Sequence, residues 1–124
     1  MDFYINKNAT LPILTMELIK DGRYTYTDFH DKIQNSNITF CMHELTTGKR
    51  RIGGKDALCV IKNEYSNCGD EEYYLGYQFS ERDTSKAGTF IGEFTIEFLD
   101  DSGTLIVPIR EELRIHILEG SIKK

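Results

Sequence analysis

The chain has 124 residues and a net charge of −5, with 40% hydrophobic and 28% charged residues. This length and composition indicate one globular domain spanning residues 1–124, because a chain of this size can bury an ordinary hydrophobic core without metals or disulfides. The acidic balance argues against nonspecific nucleic-acid binding, which depends on clustered Lys and Arg, and no apolar run approaches the roughly 20 residues of a membrane-spanning helix.

Period-two alternation of apolar and polar residues predicts strands along most of the chain. In chain order, the candidate strands cover residues 13–19, 38–43, 57–62, 73–80, 89–99, 104–109 and 113–118. The clearest is the strand over residues 89–99, where Phe90, Phe94 and Phe98 fall on one face while the other face is rich in Thr and Glu. A helix would scatter these aromatic side chains around its circumference, so the pattern favours a strand with one buried face.

Three segments depart from this pattern. Residues 27–35, TDFHDKIQN, favour a short helix near residues 28–34, with Asp28 near its start and Phe29 and Ile33 facing inward. Residues 1–10 and 121–124 are expected to be extended arms, which become ordered only if something holds them.

Turn residues separate the predicted strands. Residues 100–103, DDSG, are expected to join two strands as a tight hairpin in which Gly103 takes a positive φ. About seven to eight short strands at such spacings predict an all-β fold, namely a single antiparallel β-sandwich.

The cysteines and histidines do not form a recognisable metal motif. No CxxC or HxxxH pair is present, and structural zinc sites normally contain such pairs. The odd number of cysteines means that at least one thiol is free or pairs between chains. Two of the three lie in apolar alternating segments, where cysteine usually acts as a small buried apolar residue, so no disulfide is predicted and synthesis in a reducing compartment is expected. We therefore predict neither a metal nor a cofactor site among the candidate ligands Cys41, Cys59, Cys68, His30, His43 and His116.

Other catalytic patterns fail on spacing. Glu93 and Glu97 share a strand face, but their backbones lie about 13 Å apart, beyond the ~5–9.5 Å between the carboxyl groups of glycosidases. The GKRRIGGK run of residues 48–55 has the wrong spacing for a phosphate-binding loop. The carboxylates at residues 70–72 and 100–101 lack EF-hand spacing and are typical of turns. The sequence assembles no nucleophile with a base, so we predict that the protein is not an enzyme.

Partner contacts are the remaining possibility. Residues 49–51 form, with Lys55, a basic cluster that is either a solvated turn or a positive patch on a hairpin that faces an acidic partner. The aromatic strand at residues 72–79 belongs either to the core or to an interface. The predicted contact residues are Tyr24, Tyr26, Phe29, Tyr73, Tyr74, Lys49, Arg50 and Arg51.

Several strand sequences resemble those of a known family. They are ITFCM at 38–42, ALCVI at 57–61, YLGYQF at 74–79, DT at 83–84, GTFIGEFTIEF at 88–98, LIVP at 105–108 and LRIHI at 113–117. Together they resemble the immunoglobulin-like domain at the N-terminus of phage baseplate upper proteins and related small structural proteins of tailed phages, including crAss-like phages. The similar stretch covers about two-thirds of the chain.

The resemblance implies that the β-sandwich is of the immunoglobulin-like type and that the chain is a non-enzymatic structural protein of a tailed bacteriophage virion. Such a protein is an adaptor or decoration domain at the tail, baseplate, neck or capsid surface, made in the bacterial host cytoplasm. It is expected to bind other virion proteins, to be multi-copy or homo-oligomeric in the particle, and to bind neither nucleic acid nor a membrane. The alternative is a carbohydrate- or receptor-binding β-sandwich module of a phage fibre, with the loop at residues 63–70 as its candidate site. A third class, an accessory lysin or depolymerase, has no supporting motif.

Overall fold

The computed structural model describes residues 1–17, 33–62, 72–99, 103–108 and 111–119. These residues confirm the all-β prediction. Within them no helix is both long and apolar enough to cross a membrane. The described strands are β1 (Asp2–Asn6), β2 (Leu14–Glu17), β3 (Ser36–Glu44), β4 (Arg50–Asp56), β5 (Leu58–Lys62), β6 (Glu72–Tyr77), β7 (Gly88–Phe98), β8 (Thr104–Val107) and β9 (Leu113–Leu118).

The strands form two sheets in an immunoglobulin-like order. The larger sheet runs β1-β9-β7-β3-β4, with β8 also paired to β7, and the smaller sheet runs β2-β6-β5. With β2 as strand B, the smaller sheet is B-E-D and the larger is G-F-C-C′, which is the order of a variable-type immunoglobulin domain. Strands β8 and β9 pair with successive halves of β7, so together they occupy the position of strand G.

Strand β7 carries the core of the larger sheet. Its alternate residues are all buried, as the sequence predicts: Phe90, Gly92, Phe94, Ile96 and Phe98. Gly92 is required at its position because a Cβ there would lie 2.7 Å from Ile115 Cδ1 and 2.9 Å from Phe40 Cε1. The missing side chain thus makes room for two large neighbours.

An aromatic cluster joins the two sheets. Phe40 of β3 stacks on Tyr77 of β6 with ring centroids 4.7 Å apart, and it meets Phe94 of β7 at 5.0 Å. Phe79 packs edge-on against both Phe40 and Tyr77, at 5.9 and 5.2 Å. Such aromatic pairs contribute about 0.5–1.5 kcal/mol each beyond the burial of their area, so this cluster is a main tie between the sheets.

Two strands were not among those predicted. Residues 2–6, expected as part of an arm, form β1, which pairs in parallel with β9, so the sandwich is not wholly antiparallel. The N–H of Asn8 also donates to the Thr84 carbonyl at 2.9 Å, which anchors the segment beyond the strand. Strand β4 buries only Ile52 among its described side chains, so it lacks the alternating pattern by which strands are recognised.

Some predictions fall on residues outside the described ranges. Residues 28–32 of the helix expected near residues 28–34 lie outside the described ranges. Ile33, which was predicted to face inward, is described and is buried. The arm at residues 121–124 lies outside them as well. The hairpin at residues 100–103 is described only at Gly103, whose φ of 132° is positive as predicted.

Candidate interaction surface

The outward side of the smaller sheet exposes a group of apolar side chains. Leu58 of β5 is 72% exposed and Val60 is 50% exposed. Val60 lies opposite the half-buried Tyr74 of β6, and Leu58 lies opposite Gly76. We call these four residues the small-sheet face. Directly opposed residues on one side of a sheet have Cβ atoms about 4.5–5.5 Å apart, so Val60 and Tyr74 are neighbours, and Leu58 lies on the same side two residues before Val60.

The alternation within β5 explains why these side chains point outward. Cys59 lies opposite Leu75, which is fully buried, so Cys59 points toward the core and its two neighbours point away from it. Burial raises the pKa of the Cys59 thiol to about 11. The thiol is therefore protonated at neutral pH and behaves as a small apolar group.

Strand β5 is also an edge strand of the sheet that the described residues form. Among the described strands it pairs with β6 alone. Edge strands present unpaired backbone N–H and C=O groups, which natural proteins commonly protect with proline, charge or a covering element. Residues 58–62, LCVIK, contain no proline and a single charge at the end of the strand.

An open groove lies beside the start of β5. Its volume is about 600 Å³, and its lining is mixed, with the polar side chains of Gln34 and Ser36 beside Ile33, Ile38, Ala57, Leu58 and Cys59. The groove therefore adjoins the small-sheet face at Leu58 but does not continue it as an apolar surface.

The structure separates the two adjacent tyrosines of the predicted contact set. Tyr74 belongs to the small-sheet face, whereas Tyr73 is only 1% exposed and packs in the core. The prediction of Tyr73 as a partner-contact residue is therefore wrong, because strand alternation points it inward beside the buried Leu75. Tyr24, Tyr26 and Phe29 lie outside the described residues.

The basic residues 49–51 are all exposed at the start of β4. The Arg51 guanidinium donates to the carbonyls of Arg82, at 2.5 Å, and Asp83, at 3.5 Å, and it also binds the Ser85 hydroxyl. Arg51 is thus committed to the turn between β6 and β7 within its own chain. Because Arg51 is held by these contacts within its own chain, the predicted partner contact of residues 49–51 depends on Lys49 and Arg50.

A buried carboxylate, which the sequence analysis did not select, anchors the same turn. Asp83 is 3% exposed and accepts hydrogen bonds from Tyr77 Oη at 2.6 Å, Ser80 N at 2.9 Å and Lys55 Nζ at 2.9 Å. Burial acts to raise the pKa of Asp83, but the hydrogen bonds from Ser80, Tyr77 and Lys55 outweigh it and lower the pKa. Burial and the Asp83 charge together raise the pKa of Tyr77. The cluster ties β4 to the turn that follows β6.

A second cluster of polar side chains, on the outer side of the larger sheet, holds β1 against β9. His116 Nε2 lies 2.8 Å from Asp2 Oδ1, and His116 Nδ1 lies 3.4 Å from Thr89 Oγ1. The Tyr4 ring stacks on the imidazole with centroids 4.7 Å apart. The hydrogen bond with His116 lowers the pKa of Asp2, and burial opposes it only in part. Three strands are joined by these contacts, which support the parallel pairing of β1.

The candidate metal ligands do not gather in the described part of the chain. No group of three or more His, Cys, Asp or Glu side chains there is placed to hold a metal ion. Cys41 and Cys59 are free thiols, whereas Cys68 and His30 lie outside the described ranges. The candidate glycan loop at residues 63–70 and the carboxylates at residues 100–101 also lie outside them.

Comparisons with known proteins find no protein that is significantly similar to this chain. No protein-family model matches the chain, and neither the curated proteins nor the solved structures contain a significant match. The resemblance to the N-terminal domain of phage baseplate upper proteins therefore stays a prediction from the sequence.

Proposed function

We propose that this chain is a non-enzymatic structural protein of a tailed bacteriophage virion, which joins or covers other virion proteins. The observation that carries the proposal is the small-sheet face, where Leu58 and Val60 stand exposed beside each other on an edge strand. The strand sequences of residues 37–117, which resemble phage structural domains, support the virion setting.

The chemistry of the small-sheet face suits protein contact. Complete burial of a Leu or Val side chain contributes about 1.5–3 kcal/mol, so covering the exposed parts of Leu58 and Val60 contributes roughly 2–3 kcal/mol together. Tyr74 adds an apolar ring with a polar tip, a combination that is enriched at interfaces. A contribution of this size is modest for one copy, but it multiplies where many copies bind at symmetric positions of one particle.

The test is the protein composition of purified phage particles. We expect mass spectrometry of density-purified virions to detect this chain at a fixed ratio to tail or capsid proteins. Its absence from particles whose other structural proteins are all detected would overturn the proposal.

A matched pair of variants tests whether the small-sheet face makes the contact. Val60→Lys places a charge on that face, and Ile106→Lys places one on the outer side of the larger sheet, at a residue of nearly equal exposure (50% and 49%). We expect Val60→Lys to be depleted from particles and Ile106→Lys to be incorporated normally. Equal incorporation of both variants would show that another surface carries the contact.

Binding to a glycan array distinguishes the alternative function of a carbohydrate-binding module. We expect no specific signal. Specific binding that persists in Val60→Lys would favour a fibre module that acts through another site.

A further inference from the structure

Strand β1 is attached to the sandwich with little buried side-chain surface of its own. Among the described strands it pairs with β9 alone, in parallel, over residues 2–6 and 114–118. Ile5 is its one buried side chain, and the half-buried Phe3 stacks on Phe79 with ring centroids 5.9 Å apart. Parts of a fold with few buried apolar side chains open locally at a lower free energy than its core, so β1 also depends on the contacts of its outward side chains.

The outward contacts of β1 centre on the imidazole of His116 in β9. Its Nε2 lies 2.8 Å from Asp2 Oδ1, its Nδ1 lies 3.4 Å from Thr89 Oγ1, and the Tyr4 ring stacks on it with centroids 4.7 Å apart and planes at 17°. Each neighbour suits a protonated imidazole. The carboxylate attracts its charge, the hydroxyl oxygen accepts its second N–H, and an aromatic face attracts a cation that lies within about 6 Å.

We propose that protonation of His116 locks β1 onto β9, so that the opening of β1 from the larger sheet depends on pH. A neutral imidazole keeps both hydrogen bonds, since the Thr89 hydroxyl can donate to Nδ1 while Nε2 donates to Asp2. What it loses is the positive charge, and with that charge the ion pair across the two strands and the attraction to the Tyr4 ring. The lock therefore weakens as the pH rises through the range in which histidine side chains lose their proton.

Two further positive charges near His116 oppose its protonation, but each has a carboxylate beside it. Arg114 lies on the same outer side of β9, and its Nε is 2.9 Å from Glu112 Oε2. The Met1 amino group, at the start of β1, is 3.6 Å from Glu111 Oε2. These carboxylates balance much of the repulsion, since opposite charges at such distances attract each other.

The remaining neighbours leave Asp2 as the charge that His116 binds. Strand β7 places the uncharged Thr89 and Ile91 against this part of β9. The pKa of Asp2 is lowered, chiefly by its hydrogen bond with His116, so its carboxylate is ionised at neutral and mildly acidic pH. Among the described residues, protonation of the imidazole thus completes one ion pair, which joins β1 to β9.

The lock makes one border of the larger sheet respond to pH. When β1 opens, backbone groups of β9 lose their partners, and this opening is rarer in mildly acidic solution than above neutral pH. The inference concerns β1 and not the small-sheet face, so it goes beyond the proposed function and does not depend on it.

Amide hydrogen exchange measured by NMR tests the lock. The N–H of Lys7 donates to the Leu118 carbonyl at 2.7 Å, and the N–H of Arg114 donates to the Met1 carbonyl at 2.8 Å, so both amides exchange when β1 opens. After correction for the intrinsic exchange rate, we expect their protection to be about three- to tenfold greater at about pH 5.5 than at about pH 7.5. An exposed ion pair and a cation–aromatic contact each contribute up to roughly fivefold.

Variants separate the charge of His116 from other causes. His116→Asn is expected to abolish the pH dependence, and Asp2→Asn, which keeps a hydrogen-bond acceptor but removes the charge, is expected to abolish most of it. The matched control is His43→Asn, because His43 lies on β3, which does not pair with β1, and this variant is expected to behave as wild type. The amide of Ala57, which donates to the Ile38 carbonyl at 2.9 Å, serves as the internal control and is expected to show no such dependence.

Equal protection of the Lys7 and Arg114 amides at both pH values in the folded wild-type chain overturns the inference. A pH dependence that persists in His116→Asn overturns it as well, and so does one that the Ala57 amide shares equally, since the whole fold would then be responding. None of these results bears on whether the chain is present in virions, which the composition of particles decides.

Discussion

Replacing Asp83 with Ala is expected to destabilise the fold strongly. The substitution removes the acceptor for Tyr77 Oη, Ser80 N and Lys55 Nζ. Tyr77 is only 6% exposed, so its hydroxyl loses its partner inside the protein.

The size of the loss in stability depends on whether each of the three donors can bind water once the carboxylate is gone. An unsatisfied buried polar group costs about 1–3 kcal/mol, and we assign about 2 kcal/mol to the Tyr77 hydroxyl. Ser80 is exposed and its N–H can bind water in part, which leaves about 1 kcal/mol. The Lys55 side chain is 52% exposed and returns to solvent at little cost. The expected loss is therefore about 3 kcal/mol.

Urea unfolding followed by far-ultraviolet circular dichroism measures this loss. We expect Asp83→Ala to lower the free energy of unfolding by about 3 kcal/mol, and its control Lys55→Met to lower it by less than about 1 kcal/mol. Equal effects of the two variants, or a loss below about 1 kcal/mol for Asp83→Ala, would refute the hydrogen-bond argument.

The lowered pKa of Asp83 makes its contribution to the free energy of unfolding decrease as the pH falls. Because the folded protein lowers the pKa of Asp83, the unfolded chain binds its proton more readily, so the stabilisation is complete above the ordinary Asp pKa of about 3.9. It is lost as the pH falls through the lowered pKa of the folded state. The stability difference between wild type and Asp83→Asn is therefore expected to shrink below about pH 4. A difference that grows on acidification would contradict the sign.

Three further predictions concern other parts of the sandwich. Gly92→Ala is expected to lower the free energy of unfolding in urea by about 1–3 kcal/mol, because the new Cβ would lie less than 3 Å from two core side chains. The control Gly76→Ala, whose Cβ would make only ordinary contacts, is expected to change it by less than about 0.5 kcal/mol. Equal effects of the two variants would contradict the close packing at Gly92. His116→Asn is expected to raise the pKa of Asp2, measured by NMR titration, since the imidazole is the main group that lowers it; an unchanged pKa would exclude that cause. Cys59 is expected to react with iodoacetamide at pH 8 far more slowly in the folded than in the urea-unfolded chain, and equal rates would refute its burial.

The sequence predicts those strands that bury one side and expose the other. Strand β7 alternates large apolar residues with Thr and Glu, and its buried set matches the predicted set. Strand β4, RRIGGKD, buries only Ile52, so hydrophobic alternation carries no signal there and predicts no strand. The pairing of β1 with β9 joins segments more than 100 residues apart, and no local pattern specifies it.

The candidate surface was predictable in part. Alternation places Tyr73 and Tyr74 on opposite sides of a strand, but it does not say which side faces the other sheet; the buried Leu75 settles that only in the folded structure. The buried Asp83 binds Lys55, which lies 28 residues earlier in the chain, so this part of its role arises from tertiary contact. The exposure of Leu58 likewise depends on β5 lying at a sheet edge, which hydropathy alone does not indicate.

Cross-linking mass spectrometry of intact phage particles tests the proposed function most directly. With a lysine-reactive reagent, Lys62, which ends β5 two residues after Val60, is expected to form cross-links to a different structural protein of the virion. Lys7 and Lys86, which lie on other parts of the fold, serve as internal controls. Particles that lack the chain, or that cross-link it to other proteins only through Lys7 and Lys86, would contradict the account.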